Sequence, residues 1–89
     1  MARHARVEVD TVQRANKLSG YLEARGLKAQ VEAPMVGAAA VLVRKPPLRR
    51  ATAFVSSLLL MVDGWVKDGH ADKAIVAWQG ERHELESMA

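Results

Sequence analysis

Residues 39–66 read AAVLVRKPPLRRATAFVSSLLLMVDGWV, and this one stretch holds a strand, a break and a helix. Ala39 to Lys45 is apolar on both faces for most of its length, the pattern of a strand inside a sheet rather than at its rim. Pro46 and Pro47 end it, and proline suits the first turn of a helix. The spacing predicts a helix over Leu48 to Lys67. Leu48, Ala51, Val55, Leu58, Leu59, Val62, Trp65 and Val66 recur on one broad face, with Phe54 and Met61 on its flank. Leu60 falls on the opposite face, near Ser56, Ser57 and Asp63. Asp68-Gly69-His70 closes the helix.

Upstream, Val7 and Val9 alternate with Arg6 and Glu8, the period of a half-buried strand. Asp10 or Thr11 then supplies an N-cap, with Gln13 placed as in a capping box. Val12, Ala15, Leu18 and Leu22, with Ser19 beside them, predict a helix from Thr11 to Arg25. Gly26 suits its C′ position, and Gly20 inside it costs about 1 kcal/mol relative to alanine. Leu27 to Ala33 alternates again, until Pro34 and Gly37 break the chain. Downstream, Lys73 to Gln79 is a fourth strand. Gly80-Glu81 fits a type II′ hairpin turn with glycine first, and Arg82 to Glu86 returns as a short fifth strand. That register pairs Trp78 with His83 and Val76 with Leu85.

The order predicts one α/β domain over residues 1–89, of α+β class. The expected architecture is a ferredoxin-like βαββαβ two-layer sandwich with both helices on one face and a short extra C-terminal hairpin strand. The alternative is a two-layer sandwich in which the strand before the first helix does not form.

With 89 residues, 49% hydrophobic, the chain is a globular domain with little area to bury. It has no cysteine, which excludes disulfides, thiolate catalysis and thiolate-bound zinc. Met1 to Asp10 has no apolar signal region, and Ala51 to Val66 falls short of the roughly 20 apolar residues of a membrane span. The expected location is the cytoplasm. A formal charge of +3 permits a nucleic-acid or phosphate partner without demanding one.

Arg44, Lys45, Arg49 and Arg50 are the candidate anion or nucleic-acid site, since four cations flank a helix start, where anions bind. A solvated basic turn is the plain alternative. The N-terminal run Ala2-Arg3-His4-Ala5-Arg6 is a second basic cluster. The strands expected at the centre of the sheet carry no aromatic residue, which argues against base stacking in the manner of RNA-recognition domains. His4, His70 and His83 have no partners at metal-ligand spacing. No catalytic residue, cofactor site or metal site is assigned, and enzymatic activity is not favoured. Leu42, Phe54, Leu60, Met61 and Ile75 are the candidate self-association residues, and a homodimer is the expected state. The function expected from sequence is a small non-enzymatic interaction module acting through protein–protein contacts. The alternative is a phosphate- or nucleic-acid-binding accessory protein that uses the Arg44–Arg50 turn.

Overall fold

The computed structural model describes residues 3–33 and 38–87. Eight segments follow in order: β1 (His4–Val9), α1 (Val12–Glu23), β2 (Lys28–Glu32), β3 (Ala39–Arg44), α2 (Ala51–Trp65), a π-helical turn (Val66–His70), β4 (Lys73–Trp78) and β5 (Glu81–Glu86). The strands form one antiparallel sheet in the order β2-β3-β1-β4-β5. β1, the strand whose formation was in question, is the central one. The break expected at Pro34 and Gly37 lies outside the described residues.

Period-two alternation places the core. Ala5, Val7 and Val9 of β1, Val41 and Val43 of β3, and Val76 of β4 are buried together with Leu18 and Leu22 of α1 and Leu58 and Val62 of α2. Both helices therefore lie on one side of the sheet, making a two-layer α+β arrangement. Thr11 caps α1, its hydroxyl accepting from Arg14 N–H at 3.1 Å. Gly26 follows that helix with φ +89°, the left-handed conformation glycine adopts most cheaply. Inside α1, a side chain at Gly20 would meet nothing within 4 Å.

Three expectations are corrected. The second helix begins at Ala51, not Leu48. The Lys45 ammonium donates to the carbonyls of Pro46 and Arg49 and holds the intervening residues out of the helix. Pro47 to Arg49 instead forms a separate turn, with Arg49 N–H on Pro46 O at 3.1 Å. Leu48 rides on that turn fully exposed and takes no part in the core. Counting Leu48 as helical shifts the centre of the apolar stripe. The true centre is Phe54, Leu58, Val62 and Trp65, all buried. Phe54 is thus a core residue, 0% exposed and edge-on to Trp78 with ring centroids 5.6 Å apart. It is not available for self-association.

The hairpin register also differs. Trp78 faces Glu81, Val76 faces His83 and Ala74 faces Leu85, so Gln79-Gly80 forms the turn. Both turn residues have positive φ, +47° and +87°, as a type I′ turn requires. The shift preserves parity, and His83 and Leu85 still point to the helix side.

Phe54→Ala is expected to cost about 3–5 kcal/mol in urea unfolding, because it empties a packed aromatic site, whereas Leu48→Ala stays within about 0.5 kcal/mol of wild type. Gly20→Ala is expected to stabilise by about 0.5–1 kcal/mol in the same measurement, since a methyl group there meets no neighbour.

Candidate functional site

The sheet face away from the helices carries the charges. Two cross-strand rows traverse it: Gln30, Leu42, Arg6, Ala77, Arg82, and then Glu32, Ala40, Glu8, Ile75, Glu84. Cations occupy one row and carboxylates the next, so they pair. Arg6 binds Glu32 and lies 3.5 Å from Glu8; Arg82 reaches Glu8 at 3.2 Å, and Lys73 reaches Glu84 at 3.2 Å. The hydrogen bond from Arg6 to Glu32 raises the guanidinium pKa above its ordinary value, keeping it charged. Leu42 and Ile75 lie half-buried within these rows, flanked by ion pairs. Phe, Tyr and Trp are absent from this face among the described residues; Tyr21, Phe54, Trp65 and Trp78 belong to the helical layer and the core.

The next row has no carboxylate. Lys28 of β2 faces Arg44 of β3, which faces His4 of β1. Beyond it come the turn between β3 and α2 and the turn between α1 and β2. Together they enclose a cleft of about 250 Å³ lined by Gly26, Lys28, Arg44, Lys45, Pro46 and Pro47. Arg3 is held beside it, because Lys45 N–H donates to Arg3 O at 2.9 Å. Arg49 and Arg50 extend the cluster toward α2 and are exposed.

Lys45 has a second task. Its ammonium donates to Pro46 O at 3.0 Å and Arg49 O at 2.8 Å, tying the turn closed. Arg50 occupies the N-cap position in extended geometry without a side-chain cap, and the first turn of α2 has no acidic residue. The positive end of the helix dipole therefore adds to the same field. Among the described residues, Arg3, Lys28, Arg44, Lys45, Arg49 and Arg50 form no ion pair; nor do Lys17 of α1 and Arg25, which lies over the Tyr21 ring. Arg6, Arg14, Lys67, Lys73 and Arg82 each have a carboxylate partner.

The structure thus gathers the four cations read from sequence and adds Lys28, which local sequence could not connect to them. Only the register of β2 against β3 brings it alongside Arg44. Of the self-association candidates, Leu60 is exposed on α2 and Met61 is half-buried against the core. His83 lies 3.9 Å from Glu81 on β5, and no cluster of three metal-ligating residues occurs among the described residues. No helix there is long and apolar enough to cross a membrane.

No family model, no curated protein and no solved structure matches the chain.

Replacing Lys45 by methionine removes the tie across the turn while keeping an apolar stem of similar length. The expected result is faster hydrogen exchange at the Arg49 amide, with a loss of about 1 kcal/mol in global stability. Exchange measured by nuclear magnetic resonance checks both quantities.

Proposed function

We infer that this chain is a non-enzymatic binding module that grips the phosphate groups of an anionic macromolecule, a nucleic-acid backbone being the best fit, through the acid-free end of its sheet. One observation carries the reading. Arg3, Lys28, Arg44, Lys45, Arg49 and Arg50 gather at that end without a carboxylate partner among the described residues, while Arg6, Lys73 and Arg82 elsewhere on the open face each pair with a carboxylate of a neighbouring row. Unpaired cations gathered in one place repel one another, and an incoming polyanion relieves that repulsion. Arginine also presents paired donors that suit phosphate oxygens. With no Phe, Tyr or Trp on the open face among the described residues, contact is made to the backbone and is insensitive to base sequence. The frame that supports the site is read as ferredoxin-like, since β1 to β4 with their two helices follow the βαββαβ order and β5 is appended at one rim.

A second reading, self-association, is supported by Leu60, which stands 75% exposed on α2.

Titration of a fluorescent duplex and a single-stranded oligonucleotide at several salt concentrations tests the first reading. The wild-type affinity should fall linearly on a log–log plot against salt, since cation contacts release counterions. Arg44→Ser combined with Arg49→Ser and Arg50→Ser should weaken binding at least about tenfold and flatten the slope by about 2–3. Lys67→Ser, at a cation already paired with Asp63 at 3.0 Å, should leave both unchanged. Absence of binding at low salt would remove the reading.

A further inference from the structure

Two helices do not roof five strands. Packed helices lie about 10 Å apart and strands about 4.8 Å, so a helix pair spans roughly four. α1 covers β2 and β3, and α2 flanks β4 and β5. His83 and Leu85, on the helix side of β5, are left half-buried. The uncovered strip is a trough between α2 and β5, about 430 Å³ beside the hairpin and about 530 Å³ farther along, the two parts meeting at Leu59 and His83. Leu60 stands on its bank.

The backbone of β5 is open on the same side. Trp78 and Glu81 close a two-residue turn, which makes them a hydrogen-bonded pair. Alternation then makes Val76–His83 and Ala74–Leu85 bonded pairs, and Ser87 N–H on Asp72 O at 3.0 Å continues the series. Arg82, Glu84 and Glu86 therefore turn their N–H and C=O groups outward, to the rim of the sheet.

We propose that this rim pairs with the same strand of a second copy, antiparallel and centred on Glu84, joining two sheets of five strands into one of ten. The strand is complementary to itself in that register. Arg82 of each copy faces Glu86 of the other, and opposite charges placed across neighbouring strands attract. Glu84 meets its own counterpart at the two-fold axis, where Lys73 of each copy already neutralises it at 3.2 Å. The same approach brings the two troughs together and sets both Leu60 side chains over the seam, so one partner covers the backbone rim and the apolar strip at once. α1 lies across the other rim, β2, tied to it by Ser19 Oγ donating to Ala29 O at 3.4 Å. The proposal rests on the self-association reading and is independent of the basic end.

Sedimentation of the full chain from micromolar to millimolar concentration tests it, with circular dichroism confirming that each variant folds. Wild type should form a dimer. Glu84→Pro removes an outward donor and leaves the bonds to β4 intact, so it should yield a monomer. Glu86→Arg sets like charges against Arg82 and should weaken association about tenfold; it decides the matter if the proline variant does not fold. The chain has no native thiol, so Glu84→Cys should oxidise rapidly to a covalent dimer while Asp68→Cys does not. A wild-type monomer throughout the range overturns both this proposal and the self-association reading. A dimer indifferent to both Glu84→Pro and Glu86→Arg overturns this proposal while leaving self-association in place.

Discussion

The molecule depends on β1 being paired on both sides. Its six residues bond to β3 along their whole length and to β4 over Arg6 to Glu8. That central position makes the period-two alternation consequential: Val7 is sealed between the layers, while Arg6 and Glu8 must emerge on the other face. A slip of one residue would send both charges into the core and three apolar side chains into water, so the register is strongly specified. α1 and α2 can share one apolar floor only because this strand joins the two halves of the sheet.

The same register arranges the charges. On the open face, cationic and anionic rows lie two residues apart, close enough to neutralise each other. Exposed pairs of this kind each add little to stability, about 0.2–1 kcal/mol. Their larger effect is to consume charge. What is left over after pairing is mostly positive and mostly at one end, where β3 leaves the sheet and β2 enters it. Net charge alone conveys little of this; the ion pairs turn a small excess into a local field.

Much of the frame was legible in the sequence because periodicity is local. Val12, Ala15, Leu18 and Leu22 locate α1, and the doubly apolar run Ala39 to Val43 marks an interior strand. The start of α2 was harder to read. Pro46-Pro47 permits either a helical first turn or a separate bend, and the Lys45 ammonium settles it by bonding to two turn carbonyls. Placing Leu48 in that helix then displaced Phe54 from the centre of the stripe. The hairpin turn lies one residue earlier than expected, moving the pairing by two, because Gln79 takes positive φ, which sequence rules reserve for glycine and asparagine. The Arg44–Arg50 cations were visible as a run, but Lys28 joins them only through the pairing of β2 with β3. Such a partner is set by tertiary register and has no signature in its own neighbours.

The antiparallel hairpin at the rim has a geometric corollary. In a dimer joined through β5, the two-fold axis stands perpendicular to the sheet, so the cationic termini of the two protomers point in opposite directions. They cannot converge on one short ligand. Each end would engage a separate polyanion, or distant segments of one long polyanion, and the assembly would act as a bridge whose avidity depends on how the bound strands are spaced.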